Sequence, residues 1–209
     1  MRWENLFADL EAQLERELGA DDLEVRIAEE RLRLGRLALR ERMRLSAVRD
    51  GDRAAPLLLW MVDGTAVRLR PATFGQDWVS GDLVGDETVG DGPSRASARA
   101  LVPLGAIASI DLSEAQAVPS LEGLEDDRAR DAAPRLIDRL GLAFPLRDLA
   151  RRRSAVTINT LAGVLHGTID RVAKDHLDLA VHEPDSPRRA ANVRGIRIIR
   201  LSAVVIVRI

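Results

Sequence analysis

The chain has 209 residues, of which 46% are hydrophobic, and its formal net charge at pH 7 is −2. This length suits one or two domains, and the apolar content excludes a chain that is disordered throughout. The chain contains no cysteine, which excludes structural disulfides and thiolate metal sites. The acidic first residues are unlike a secretory signal, and no run of about 18 apolar residues could cross a bilayer. We therefore expect a cytoplasmic protein that has no membrane partner.

The small net charge conceals an electrical asymmetry along the chain. Residues 151–209 contain eleven basic and five acidic residues, whereas residues 1–150 contain 20 basic and 28 acidic ones. The chain is therefore acidic first and basic last. Lys174 is the only lysine. Because this arginine bias resembles that of uncharacterised proteins from high-GC actinobacteria, the choice of arginine over lysine carries no functional weight.

Residues 1–49 show the spacing of two amphipathic helices. Apolar residues recur every three or four positions over 3–18, Gly19 follows, and a second such pattern runs from about 22 to 47. Acidic residues crowd the first turn of the second helix and arginines its last, which complements the helix dipole. We expect a helical hairpin that packs on the β-structure of its own chain or, alternatively, forms a dimeric coiled coil.

A first all-β unit is predicted over 56–112. The apolar run Leu57–Val62 leads into Asp63-Gly64, a strong signal for a hairpin turn. Residues 85–99 are polar and glycine-rich, which indicates a loop, and a strand pattern returns over 102–110. The aromatic residues of this unit, Trp60, Phe74 and Trp78, are expected to fill its core.

Residues 113–153 form an acidic linker between the two β units. Its composition over 113–132 favours a flexible segment. Two short helices are expected to follow, one opened by Pro134 and one by Pro145, because proline suits the first turn of a helix.

A second β unit is predicted over 154–209. Ala162-Gly163 marks a tight turn, and the following residues alternate between apolar and polar. Leu177, Leu179 and Val181 should face the interior, while His176, Asp178, Ala180 and His182 should share a solvated outer face. The last strand, Val204–Val207, is apolar on both faces and therefore needs a cover on each side.

The second unit repeats the order of motifs of the first, about a hundred residues later. Strands of five to seven residues at roughly ten-residue spacing indicate a small barrel, because closure removes the two unpaired edges of a small sheet. The predicted fold class is α+β and mainly β. It comprises a helical hairpin over 1–49, a first acidic five-stranded barrel over 56–112, a linker over 113–153 and a second basic five-stranded barrel over 154–209.

The second unit resembles the Sm-like family of small barrels. A short helix followed by Val156-Thr-Ile158, a turn at Ala162-Gly163 and the Lys174–Leu179 run is similar to the first Sm motif. Asn192-Val-Arg194-Gly195-Ile resembles the second motif, in which a basic residue followed by glycine helps to line an RNA pocket. The resemblance implies a barrel that binds RNA near Arg194, although SH3-like barrels with other functions fit the same pattern.

Catalytic and metal-binding signals are weak. The chain has no cysteine nucleophile, no Gly-x-Ser-x-Gly, no phosphate-binding glycine loop and no His-Glu-x-x-His motif. Along an extended strand His176 and His182 would lie about 20 Å apart, too far to bind one ion. We predict a protein that is not an enzyme and uses no metal or cofactor.

The basic residues give the clearest functional hypothesis. Four arginines fall on the short helix before the second unit, and the others lie in its last loop and strands, where Arg200 and Arg208 follow. If both groups border one rim, they would neutralise several phosphates of RNA or DNA. The residues predicted to bind nucleic acid are Arg147, Arg151, Arg152, Arg153, Arg188, Arg189, Arg194 and Arg197.

Two alternatives use the same features without nucleic acid. The basic unit could dock on the acidic part of the chain, within one molecule or between subunits. The long N-terminal helix and the apolar C-terminal strand could instead build an oligomerising adaptor that binds copies of itself or another protein.

Overall fold

A computed structural model describes residues 31–32, 35, 37–47, 49–50, 53–85, 98–117, 135–184, 186 and 188–209. Leu39–Ile209 form one compact unit, and Met1–Ala38 belong to a separate one. Three parts of the predictions lie outside the described residues. They are the first helix over 3–18, most of the loop over 85–99 and the linker segment over 118–134.

Ten strands of the compact unit form one antiparallel sheet, and a two-stranded ribbon of β1 (Arg49–Asp50) and β2 (Arg53–Ala54) precedes it. The ten strands are β3 (Leu57–Met61), β4 (Ala66–Phe74), β5 (Trp78–Leu83), β6 (Arg99–Pro103), β7 (Ile107–Asp111), β8 (Ala155–Thr160), β9 (Gly163–Val172), β10 (His176–Val181), β11 (Gly195–Arg200) and β12 (Val204–Arg208). Their order across the sheet is β11-β10-β9-β8-β12-β6-β5-β4-β3-β7.

The helices that the structure describes around this sheet are short. The α-helices are α1 (Leu39–Ser46), α2 (Glu114–Ala117) and α3 (Ala143–Arg152). Four single turns of 3₁₀ helix connect strands or precede a helix: η1 (Leu104–Ala106), η2 (Leu136–Arg139), η3 (Ala190–Asn192) and η4 (Leu201–Ala203).

The prediction of two closed five-stranded barrels is wrong. Each predicted β unit does contain five strands, β3–β7 in what we call the first half and β8–β12 in the second half. However, β12 pairs with β6, so that the sheet runs on from one half into the other. Closure is one way to satisfy an exposed strand edge, and here each half covers one edge of its neighbour instead.

The prediction of a long N-terminal helical hairpin is also wrong for the residues that the structure describes. One helix was expected from about 22 to 47, yet residues 37–38 are not helical and α1 begins only at Leu39. Gly35 lies just before this break. Glycine is a poor helix former that commonly stands near helix ends. The spacing of the apolar residues continues through this position and therefore does not indicate the break.

The two halves follow one backbone plan. In both, the strand order is fifth, first, second, third, fourth, and a 3₁₀ turn joins the fourth strand to the fifth. The N–H of Leu104 donates to the carbonyl of Asp77 at 2.9 Å, and the N–H of Leu201 donates to that of Asp175 at 2.8 Å. These bonds tie each 3₁₀ turn to the corresponding turn between the second and third strands.

The predicted hairpin turns are present. Gly64 closes the β3–β4 hairpin with φ of 83°, and Gly163 ends the β8–β9 turn with φ of 124°. Both angles lie in the region that favours glycine because a side chain would clash there.

The apolar core is divided between the two faces of the shared strands. On β6, Val102 packs with the first-half core and Leu101 with the second-half core. On β12, Val205 packs with the first-half core and Val207 with the second. The cover that the sequence demands for the last strand is therefore supplied by the first half.

Residues 140–142 cross from the first half to α3 and are held by polar contacts. The indole of Trp78 donates to the carbonyl of Leu140 at 2.9 Å, and the N–H of Leu142 donates to Asp77 Oδ1 at 2.7 Å. Trp78 and Phe74 are buried as expected, but Trp60 is 41% exposed and donates to Asp111. The prediction that all three aromatic residues fill the core is wrong for Trp60.

Replacing Ile206 by alanine tests the shared core. Ile206 is fully buried on β12, so we expect the change to lower the free energy of unfolding by about 2–5 kcal/mol. Because β12 packs in both cores and pairs with β6 and β8, hydrogen exchange should become faster in β4 and β9 together. Val164→Ala, at a half-exposed position, is the control and should change stability by less than about 0.5 kcal/mol. Faster exchange in only one half would show that the halves unfold independently.

Candidate nucleic-acid interface

The four predicted arginines of α3 have different surroundings. The guanidinium of Arg147 donates to the carbonyls of Val172 and Ala173 at 3.4 Å, which brings it to the end of β9. Arg151 and Arg152 both pair with Asp148 one turn earlier. Because one carboxylate serves these two arginines, part of their charge is already compensated within the helix.

Arg153 has an unusual backbone conformation. It ends α3 with φ of 52°, the only positive φ of a non-glycine residue in the described part of the chain. Its N–H donates to the carbonyl of Ala150, and the N–H of Ser154 donates to that of Leu149. Glycine is the usual residue at such a helix end, so an arginine there carries a conformational cost.

The four predicted arginines near β11 also differ in their contacts. Arg188 pairs with Asp170 through two bonds of 2.7 and 2.6 Å, and Arg194 pairs with Glu183. Arg189 and Arg197 are exposed and make no ion pair with the described residues. Half of the eight arginines therefore have a carboxylate partner, and their arrangement along one rim stays a prediction.

Arg188 is hydrogen-bonded to Asp170, and the positive charges of Arg153 and Arg171 also act on this carboxylate; we call Arg153, Arg171 and Arg188 the arginine cluster. The hydrogen bond from Arg188 is the main cause that lowers the pKa of Asp170. Partial burial opposes it, and the charges of Arg188, Arg153 and Arg171 lower the pKa further. With three guanidinium groups around one carboxylate, the cluster keeps a surplus of positive charge.

An open groove of about 540 Å³ adjoins the cluster, lined by Arg171, Val172, Ala173, His176 and Asp178. Arg200 lies opposite His176 in the β10–β11 register. The pKa of Asp175 is lowered, chiefly by the hydrogen bond from His176. The positive charge of the nearby Arg200 lowers it further. Basic groups from α3, β9 and β11 thus approach the same end of the second half.

Two residues of this region were absent from the predicted site. Arg171 lies on β9 opposite Asp178, and nothing in the sequence links it to Arg153. Phe144 lies on α3 and is 49% exposed, one turn before Arg147 on the same helix face. The spacing of Phe144 and Arg147 is visible in the sequence, but the exposure of Phe144 is not.

The predicted outer face of β10 is solvated only in part. His176 and Asp178 are partly exposed, whereas Ala180 and His182 are buried. The ring of His182 bonds to the hydroxyl of Thr168 through Nε2 at 2.9 Å and to the carbonyl of Glu183 through Nδ1 at 2.8 Å. The segment after β10 folds back over this end of the strand, which the alternation of residues could not reveal.

Within the described ranges, no three His, Asp or Glu side chains are grouped as a metal site would require. In the same part of the chain, no helix combines the length and apolar character needed to span a bilayer.

Comparison with models of protein families, with characterised proteins and with solved structures finds no match for this chain. The resemblance to the Sm-like family therefore stays a prediction.

Replacing Asp170 by asparagine tests the charge balance of the cluster. The pKa of Asp170 is lower in the folded state, so its ion pair stabilises the protein above the unfolded-state pKa of about 4. This contribution is lost as the pH falls through the folded-state pKa. We expect D170N to lower Tm at neutral pH, by an amount that shrinks in thermal unfolding below about pH 4. The control is E114Q, which removes one carboxylate charge from α2, outside the cluster, where no ion pair is formed with the described residues. An equal loss in both variants would contradict a specific role of the cluster.

Proposed function

We propose that the second half binds single-stranded nucleic acid, RNA or DNA, through the arginine cluster and the exposed face of α3, without catalysis. The observation that carries this proposal is the two-bonded Arg188–Asp170 pair, on whose carboxylate the positive charges of Arg153 and Arg171 also act. Arginine binds phosphate as well as carboxylate in a bidentate manner, and the unpaired share of this charge is available to a phosphate.

The surrounding charges support a polyanion as ligand. Arg147 reaches the same end of β9, Arg200 lies beside the β9–β10 turn, and Lys174 is exposed within that turn. Six basic groups thus stand near three aspartates, Asp170, Asp175 and Asp178. A surface with this surplus releases counterions from a nucleic-acid backbone, which makes the affinity strongly dependent on salt.

Phe144 favours a single strand over a duplex. Its exposed ring can stack on a base, an interaction that is worth about 1–3 kcal/mol per base and tolerates any sequence. Arg147 one turn away can hold a neighbouring phosphate. Stacking requires an unpaired base, so that a flexible strand fits this arrangement better than a regular helix.

The double variant R153A/R171A tests the phosphate contacts and leaves the Arg188–Asp170 pair in place. We expect an affinity about tenfold lower for a labelled oligonucleotide, measured by fluorescence anisotropy. The slope of log K against log salt should fall by about 1.4 if two phosphate contacts are lost. The control R68A/R99A removes two exposed arginines from the first half and should leave both quantities nearly unchanged. Equal affinities of wild type and R153A/R171A would contradict the site.

The variant F144A distinguishes nucleic acid from a general polyanion. Loss of the ring should weaken oligonucleotide binding by about 5- to 150-fold, because the stacking energy is lost. Binding of inorganic polyphosphate, which has no bases, should not change. Leu161→Ala, at an exposed position of the β8–β9 turn, is the matched control. If F144A weakens both ligands equally or neither, stacking is not part of the interaction.

The apolar C-terminal strand cannot serve the adaptor hypothesis by pairing with a partner strand. β12, the apolar C-terminal strand, pairs with β8 on one side and β6 on the other. It therefore has no free edge for a partner, and self-association through strands would have to use the ends of the sheet.

A further inference from the structure

The sheet ends in two strands that each have a free edge among the described residues, β11 at one end and β7 at the other. A free edge presents unpaired N–H and carbonyl groups, and proteins usually protect such edges. β11 instead exposes Ile196 and Ile198, the latter by 68%. An exposed strand edge with large apolar residues is suited to pairing with another strand.

The repeat shows which strand each edge matches. The junction inside the chain joins the fourth strand of the first half, β6, to the fifth strand of the second half, β12. The two strands with free edges are the fourth strand of the second half, β11, and the fifth strand of the first half, β7. The ends of the sheet are thus the same pair of strands that the chain already joins internally.

The internal junction also provides a register. The 3₁₀ turns η1 and η4 align Leu104 with Leu201, a shift of 97 positions from 104 to 201. In the junction, Val207 lies opposite Leu101 and Arg208 lies opposite Ala100. Shifted by the same number, the first pair becomes Ile110 opposite Ile198, and the second becomes Asp111 opposite Arg197.

Both transferred pairs are chemically complementary. Ile110 and Ile198 form an apolar pair, and Asp111 and Arg197 form a pair of opposite charges, which are the cross-strand combinations that stabilise antiparallel strands. Neither property was used to find the register. Burial agrees with it as well, because Leu101, the counterpart of Ile198, is only 2% exposed in the internal junction.

We propose that β11 of one molecule pairs with β7 of a second copy, in the register Ile198–Ile110 and Arg197–Asp111. The occupant of the edge is this chain itself, because its opposite end carries the matching apolar and charged residues. The two surfaces in contact are different, so the interface is heterologous. Successive copies then form a closed ring or an open filament with a continuous sheet.

The first experiment measures the mass of the wild-type protein by light scattering after nuclease treatment. At roughly 100 µM, a concentration that saturates a micromolar association, we expect the mass of two or more protomers. Ile198→Lys should shift the protein towards the monomer, because lysine on an edge strand opposes pairing. Val164→Lys, at a similarly exposed valine away from both ends, should keep the wild-type mass.

A charge exchange tests the register itself. R197D places two aspartates opposite each other and D111R two arginines, so each variant alone should associate less than wild type. A mixture of the two variants should recover the larger mass. In such a mixture the introduced aspartate of one chain faces the introduced arginine of the other, and the native Arg197 and Asp111 face each other in the alternate contacts. R68D, on the inner strand β4, is the matched control. Its mass should equal that of the wild-type protein under the same conditions.

Monomeric wild-type protein at that concentration would overturn the proposal, and so would an unchanged mass of Ile198→Lys. Failure of the mixture to recover mass, with both variants folded by circular dichroism, would overturn the register. Ile198→Lys keeps every arginine of the proposed nucleic-acid site. Loss of assembly with retained oligonucleotide binding therefore separates this inference from the proposed function.

Discussion

The pairing of β12 with β6 determines the architecture. A strand whose side chains are apolar on both faces needs an apolar layer on each face, because an uncovered face would remain in water. Val204–Val207 have this character, and the structure places them between the two cores. Once β12 lies between β8 and β6, the two halves become one sheet, and the electrical contrast between them exists within a single molecule.

Ion pairs between neighbouring side chains limit how the arginines can act on a ligand. Many arginines of the second half face carboxylates of that half, as Arg151 and Arg152 face Asp148 and Arg194 faces Glu183. Exposed pairs of this kind contribute little to stability, but they reduce the charge offered to a ligand. The surplus that remains is local, around Asp170, where α3, β9 and the segment after β10 meet. It is this meeting of three elements, and not the count of arginines, that defines the candidate interface.

An open sheet built from a duplicated unit has a consequence that a closed barrel would not have. Each half offers one strand to the other, and one strand of each half is left at an end. In a chain that already contains one such junction, the geometry for a further one is present by repetition. The opposite character of the ends, with Arg197 on β11 and Asp111 on β7, gives this repetition a preferred partner and direction. The proposed nucleic-acid site and the proposed assembly edge lie in different parts of the second half, so the two proposals do not exclude each other.

Most of the local elements could be predicted from the amino-acid sequence, because their signals depend on neighbouring residues. Asp63-Gly64 and Ala162-Gly163 form their turns, Leu177 and Leu179 face the core, and five strands lie in each repeat. It also showed that the last strand needs a cover on both faces. Closed barrels and a continuous helix up to residue 47 were not correct, because barrel closure depends on contacts between distant strands and the helical periodicity does not register the break after Gly35. The common rim of eight arginines stays a prediction.

The pairing of the strands at each edge depends on the folded chain, as does the combined action of Arg153, Arg171 and Arg188 on Asp170. Alternation and helical periodicity report which face of an element is apolar, but carry no information about the element that packs there. Contacts between residues far apart in the chain depend on the whole sheet, and for this reason the junction and the arginine cluster appear only in the folded molecule.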